Sequence, residues 1–288
     1  MILQISHAAG VGIALTSELG AEVVCRDGEK FDFIELDPHA IHLTADVESA
    51  ITELAGRYPI VLHSTRLSIC GDNELDRFQI EKTDRIARVT GCEYYSDHLS
   101  YTGAGDINLD LYMPPEYSDE MLHYLYDRVN VVRDSTPCPF ALENVAMLVT
   151  QSKAQYSELD FIDTLLKETG VGLQLNLQSV AVSAITLGQE PEEYLKLFNL
   201  DNVAMVTVVP EGSMNPVLRR KYGAGINGLS LRMLKYVLEN SSTDRLMVQG
   251  REGDDKDEFL RFYRKAYAAY YAVRMGGHET IGQRGVAR

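Results

Sequence analysis

The chain has 288 residues, of which 45% are hydrophobic and 24% are charged, so it is long and apolar enough to bury a full core. Its formal net charge of −15 argues against a nucleic-acid surface, because phosphate binding requires clustered Lys and Arg. No apolar run approaches the roughly 18 residues of a membrane span. The N-terminus shows no basic region and no cleavage site, and the four cysteines form no C-x-x-C pair. We therefore expect a cytoplasmic protein with reduced thiols.

Strand-like and helix-like segments alternate along the chain. The predicted strands are Gly10–Leu15, Phe31–Asp37, Pro59–Ser64, Glu93–Ser100, Phe140–Ala146, Gly172–Asn176, Val203–Val209 and Arg245–Gly250. The predicted helices are Ser17–Arg26, Asp46–Arg57, Asn73–Thr90, Ser118–Asp134, Leu159–Thr169, Pro191–Phe198, Leu229–Asn240 and Asp255–Met275. A polar loop is expected after the fourth strand. Eight strand–helix units predict a (β/α)8 TIM barrel. We expect one domain over 1–288, with a C-terminal helix at about 255–275 and a flexible tail over 276–288.

Three strands of this barrel carry candidate metal ligands. Glu143 lies in an apolar strand, where an isolated carboxylate costs several kcal/mol to bury unless it is paired or coordinated. His63 and His98 fall late in two other strands. Active sites of TIM barrels lie at the C-terminal strand ends, so the three side chains can meet on one rim. Two histidines and one carboxylate suit a metal ion, and the alternative is a polar network without metal.

Two further acidic positions are less decided by the sequence. Glu35 and Asp37 alternate so that they share one strand face, which points either into the barrel mouth or to solvent before Pro38. Asp97, next to His98, is expected on the opposite face of its strand, where it orients a loop or a helix, or supports a ligand from behind.

The segments LHSTRLSI (62–69), YSDHLSY (95–101) and LEN (142–144) occur in this order on the predicted barrel. In this respect the chain resembles the multinuclear non-heme iron-dependent oxidative enzymes, which include the oxazolone-forming iron enzyme of methanobactin biosynthesis. The segment VAVSA (180–184) is a further similarity. The resemblance implies a TIM barrel that holds iron and uses O2 to modify ribosomally made peptides beside a partner protein. It also implies that His63, His98 and Glu143 are metal ligands.

The second half of the chain departs from that family pattern. Asn176 and Gln178 stand where the sixth strand of the family offers charged or amide ligands, Met205 and Thr207 where the seventh offers histidine, and Gln249-Gly250 where the eighth offers glutamate. We therefore expect a reduced site with one or at most two iron ions. Substrate binding is assigned to the neutral groups Asn144, Asn176, Gln178 and Thr207, and no catalytic residue is assigned.

Three functions remain open from the sequence. The first is an iron-dependent oxidation of a peptide or small molecule with O2. The second is a catalytically inactive family member without a cofactor, serving as a binding or scaffold subunit for a peptide or partner protein. The third is hydrolysis or isomerisation by another divalent metal at the same ligands. A homodimer is a further possible partnership, and neither nucleic acid nor a membrane is expected as a partner.

Overall fold

The computed structural model describes residues 8–15, 30–104, 107–210, 213–223, 228–251 and 253–282. Eight parallel strands form a closed barrel, which confirms the predicted fold. They are β1 (Gly10–Ala14), β2 (Phe33–Leu36), β3 (Ile60–Ser64), β4 (Tyr95–His98), β7 (Phe140–Glu143), β8 (Gly172–Asn176), β9 (Val203–Val208) and β10 (Arg245–Val248). Two further strands, β5 (Tyr101–Ala104) and β6 (Ile107–Met113), form an antiparallel hairpin outside the barrel.

Helices follow the barrel strands and cover their outer faces. The described helices are α1 (Ala45–Ala55), α2 (Arg77–Thr90), α3 (Asp119–Asp134), α4 (Glu158–Thr169), α5 (Leu177–Thr186), α6 (Pro191–Leu195), α7 (Pro216–Tyr222), α8 (Leu229–Asn240) and α9 (Lys256–Gly282). Gly91 and Gly170 end α2 and α4 in the left-handed conformation, where glycine carries no steric penalty. Among the described residues, no helix is both long and apolar enough to cross a membrane.

The barrel interior changes from apolar to polar along the strands. Side chains alternate between the interior and the helices. The interior contains a buried cluster comprising Ala8, Ala14, Phe33, Val61, Tyr94, Ala141, Met205 and Met247. Glu35, His63 and Glu143 each lie two residues after a member of this cluster on the same strand, so they also face the barrel interior. Each is 1% exposed. The apolar layer thus forms the floor of a polar chamber at the C-terminal end of the barrel.

Several predicted elements differ from the observed ones. The loop expected after the fourth strand is the β5–β6 hairpin. Helix α5, which was not predicted, begins directly after β8 because the Asn176 side chain accepts hydrogen bonds from the backbone N–H groups of Gln178 and Ser179. The segment 216–222, where no helix or strand was predicted, forms α7. Helix α9 continues to Gly282, past the expected end at 275. The predicted helix at 17–26 and the last part of the predicted tail, 283–288, lie outside the described residues.

Candidate metal centre

The three predicted metal ligands come together at the C-terminal rim of the barrel. His63 is the penultimate residue of β3, and His98 and Glu143 are the last residues of β4 and β7. These three strands are neighbours in the barrel sheet. One ligand atom from each lies within 4.8 Å of the other two. The Nε2 atom of His63 is 3.5 Å from Glu143 Oε2, and that of His98 is 3.9 Å from Glu143 Oε1. Strand register explains this meeting, since His98 pairs directly with Glu143.

The hydrogen bonds of His63 leave one ring nitrogen available to an ion. Its Nδ1 atom is 2.9 Å from Ser96 Oγ, and that hydroxyl donates to the carbonyl of Leu62. When this hydroxyl donates to the carbonyl, 3.4 Å away, Nδ1–H of His63 donates to Ser96. In that tautomer the opposite nitrogen, Nε2, carries a lone pair; it is buried and has no hydrogen-bond partner. This is the usual arrangement of a metal-binding histidine, in which a hydrogen bond on the far nitrogen fixes the ring.

Glu143 is held by two amide side chains. Gln174 Nε2 donates to Oε2 and Asn176 Nδ2 donates to Oε1, each at 2.6 Å. A carboxylate has about four lone-pair directions, so both oxygens keep one for an ion or a proton donor. Burial raises the pKa of Glu143, while His63 and the two amides act in the opposite direction. The amides thus stabilise the charged form of a buried carboxylate.

The two histidines differ in their proton affinity. Burial alone lowers the pKa of His63, but the carboxylates of Glu143 and Glu35 raise it above the ordinary value. Burial and the neighbouring His63 hold the pKa of His98 well below the ordinary value. A neutral imidazole at His98 is the form that binds metals.

Glu35 adds a second carboxylate to the chamber. Its side chain is 1% exposed and both of its oxygens are buried without a hydrogen-bond partner. Burial raises its pKa to about 7, against the attraction of His63 and together with the repulsion of Glu143 and Asp37. Of the two orientations open in the sequence, the barrel interior is therefore the observed one for Glu35.

The acidic residues flanking this chamber take part in a separate polar network. Asp97 lies on the outer face of β4, bonded to the side chain of Ser64, and burial raises its pKa to about 7. Ser64 Oγ is also 2.7 Å from His39 Nδ1. Asp37 accepts from Thr65 Oγ1 and from the backbone of His39, both at 2.8 Å. These bonds fix the loops after β2 and β3, which frame the mouth of the barrel.

The β5–β6 hairpin brings an aromatic ring onto the site. Tyr112 on β6 stacks on His98 with ring centroids 3.9 Å apart and an angle of 19° between the planes. Its hydroxyl bonds to the side chain of Thr65. The hairpin is also tied to the loop after β3 at its base, where the backbone N–H of Thr102 donates to Ser68 Oγ. Tyr112 is thus positioned from two sides and covers one face of a candidate ligand.

The four residues assigned to substrate binding are all near the site, but their polar groups bond to the protein. Asn144 bonds to both backbone groups of Asn176, and Asn176 itself donates to Glu143. Gln178 lies on α5, where its Oε1 accepts from the backbone N–H of Asn215 at 2.6 Å. Thr207 accepts from Gln174 inside the barrel at 3.2 Å. A role in binding substrate stays a prediction for each of them.

Sequence reasoning missed three residues of the site. Ser96 is predicted only as part of a strand, although it lies two positions before His98 and therefore on the same face. Gln174 is predicted only as part of a strand, although it lies two positions before Asn176 and therefore on the same face. Tyr112 was missed together with its hairpin, although INLDLYM (107–113) alternates polar and apolar residues before a proline, a strand signal.

The barrel and this rim define a TIM-barrel protein with a candidate metal site of two histidines and one carboxylate. The family whose profile matches residues 10–248 is described as the RiPP precursor modification enzymes MbnB/TglH/ChrH. The chain belongs to this family, whose members act on ribosomally synthesised peptide precursors.

Two curated relatives are UPF0276 proteins. A UPF0276 protein of Neisseria meningitidis serogroup C is 30% identical over 166 residues, which are 57% of this chain and 59% of the relative. A UPF0276 protein of Nitrosospira multiformis is 28% identical over 201 residues, 69% of this chain and 71% of the relative. The chain thus spans about three fifths of the length of the first relative.

Solved structures agree with the fold. A D-psicose 3-epimerase crystallised with D-fructose superimposes with a TM-score of 0.59 at 12% identity, covering 92% of this chain and 99% of that one. Endonuclease IV from Thermus thermophilus gives a TM-score of 0.55 at 15% identity, covering 89% of this chain and 98% of that one. At these identities the similarity shows the shared barrel and does not transfer either activity.

Proposed function

We propose that the protein is a metal-dependent enzyme that oxidatively modifies a peptide, with His63, His98 and Glu143 as the ligands of one iron ion. The observation that carries the proposal is the buried Nε2 atom of His63, which has no hydrogen-bond partner and lies 3.5 Å from Glu143. The ring is held at its other nitrogen, Nδ1, by Ser96. Two neutral imidazoles and one carboxylate are the donor set of non-heme iron oxygenases, so the residues present fit the metal.

The chain's own groups have distinct roles in this proposal. Iron bound here would supply the activation of O2 for oxidation of the substrate. Ser96 fixes the ring of His63, and Gln174 and Asn176 orient Glu143 and favour its charged form against burial. Glu35, with its pKa raised to about 7, can accept or release a proton beside the site near neutral pH. The apolar floor closes the barrel interior beneath these groups.

The test is metal analysis of protein purified without oxygen. We expect about one iron per chain in the wild type and none in Glu143→Ala. Glu158→Gln is the matched control, because Glu158 is also a buried carboxyl but lies outside the site, bonded to Tyr194 and Ser183. It should keep the iron. With a precursor peptide, the iron-loaded protein should change the mass of the peptide only when O2 is present.

A second candidate function is a binding subunit without metal, because the contacts of Glu143 also support a closed polar network. Both carboxylate oxygens of Glu143 already accept hydrogen bonds from side-chain amides. A protonated His63 would also donate to Glu143, at 3.5 Å. Wild-type protein that contains no metal yet retains a peptide in a pull-down would favour this candidate. Peptide modification with manganese or zinc and without O2 would instead favour non-redox chemistry at the same ligands.

A further inference from the structure

Two cysteines that are 46 residues apart in the chain lie in contact at the amino-terminal end of the barrel. The Sγ atoms of Cys92 and Cys138 are 3.6 Å apart. Cys92 precedes β4 and Cys138 precedes β7, and their side chains are 7% and 6% exposed. The cysteines are widely spaced in the sequence, so the pair is created by the neighbouring positions of these two strands in the barrel.

The backbone next to the pair is fixed by the barrel sheet. Tyr95 pairs with Phe140, and the N–H of Tyr95 donates to the carbonyl of Pro139 at 3.0 Å. This hydrogen bond lies three residues after Cys92 and one residue after Cys138, so it holds the two chain segments side by side where the sulfurs are in contact. A disulfide requires this kind of close, mutually directed placement of the two side chains.

The hydrogen bond that the Cys92 thiol donates can be lost without leaving its acceptor unpaired. Cys92 donates to the carbonyl of Tyr94 at 2.9 Å, and that oxygen also accepts from the backbone N–H of Leu62 at 2.8 Å. The hydrogen bond with Cys92 lowers the pKa of Cys138, whereas burial raises the pKa of Cys92 well above its ordinary value. Cys138 is therefore the thiol that ionises first and attacks an oxidant.

We propose that Cys92 and Cys138 are a modification site at which a small-molecule disulfide makes an intramolecular disulfide bond. The Cys138 thiolate attacks one sulfur of the small disulfide, forming a mixed disulfide and releasing one thiolate. The Cys92 sulfur then attacks the Cys138 sulfur of that mixed disulfide, and a second thiolate leaves. Both cysteines are oxidised, the small disulfide is reduced to two thiols, and the two cysteine protons pass to the released thiolates. The bond would join the strands that carry His98 and Glu143, and its formation requires no metal.

The test uses the folded full-length protein and oxidised glutathione. The protein is equilibrated in graded mixtures of oxidised and reduced glutathione, quenched in acid, alkylated and mapped by mass spectrometry. We expect a linked pair of peptides containing Cys92 and Cys138, lighter by two hydrogens and separated again by dithiothreitol. Folding holds these thiols in contact, so the yield should be about tenfold higher than in urea at the same ratio.

Serine variants provide the matched controls. Cys70 is also buried, at 1% exposure, so Cys70→Ser should leave the linked peptides unchanged while Cys92→Ser and Cys138→Ser abolish them. Cys25→Ser removes the remaining thiol. If folded wild-type protein gives only glutathione adducts, or links other cysteines as often, the proposal is wrong. The wild-type map alone decides this, even if a serine variant fails to fold.

Discussion

The replacement Glu35→Gln tests whether the barrel interior strains a carboxylate. Burial without a hydrogen-bond partner raises the pKa of Glu35 from 4.5 to about 7. The folded protein therefore binds more protons than the unfolded chain between these two pH values, and its free energy of unfolding falls as the pH rises through this window. A shift of about 2.5 units at about 1.4 kcal/mol per unit corresponds to about 3 kcal/mol lost by about pH 8.

Urea unfolding of wild type and Glu35→Gln between about pH 4.5 and 8.5, with a chelator present, measures this effect. The variant should gain stability relative to wild type across the window, by up to about 3 kcal/mol, and the difference should level off at about pH 8. The comparison uses the change with pH of the difference in unfolding free energy between the two proteins. A constant stability difference between the amide and the acid therefore does not affect it. Glu74→Gln, at an exposed glutamate, controls for the loss of one charge. A difference that is independent of pH, or that falls as the pH rises, would refute the reasoning.

Three further predictions concern the site and its floor. Asn176→Asp keeps the oxygen that caps α5 but replaces the amide that donates to Glu143 with a second carboxyl group. The free energy of unfolding of the metal-free protein in urea should therefore fall by about 1.5–3 kcal/mol at about pH 8 and by less at about pH 5, where the two carboxyl groups share a proton, and equal losses at both pH values would contradict this. Tyr112→Ala should shift the NMR signals of the His98 ring protons and weaken divalent-metal binding about tenfold, because it removes the ring that stacks on His98. Tyr112→Phe keeps that ring and should change neither property, so identical behaviour of the two variants would exclude a stacking role. Gly12→Ala would place a methyl group 2.3 Å from an aromatic carbon and should cost about 1–3 kcal/mol in chemical unfolding, so an unchanged midpoint would show that the ring yields freely.

The fold and the three candidate ligands could be predicted because their signals are local. Alternating strands and helices define a TIM barrel, and polar residues late in apolar strands fall on its C-terminal rim. Register then determines contacts, as in the direct pairing of His98 with Glu143. The partners of those ligands could not be predicted in the same way. That Glu143 accepts from Gln174 and Asn176 depends on rotamers and on the spacing between strands, which a single sequence does not show.

The orientation of Glu35 shows the same limit from another side. Its alternation with Asp37 identified a shared face but not which way that face pointed. The answer comes from closure of the barrel, which pairs β2 with both β1 and β3 and leaves the alternate residues inside. The Cys92–Cys138 contact is likewise a product of strand order, because β4 and β7 are neighbours in the sheet although the hairpin and α3 separate them in the chain.

The β5–β6 hairpin contributes to the rim without taking part in the strand pairing of the barrel. Its strands pair with each other and not with the barrel sheet, so its length and sequence can change without altering the register that brings the ligands together. It nevertheless contributes the ring that lies on His98 and the exposed side chains of Leu111 and Met113 beside it. Relatives could therefore diverge in what they admit to the rim while the ligands themselves stay in place.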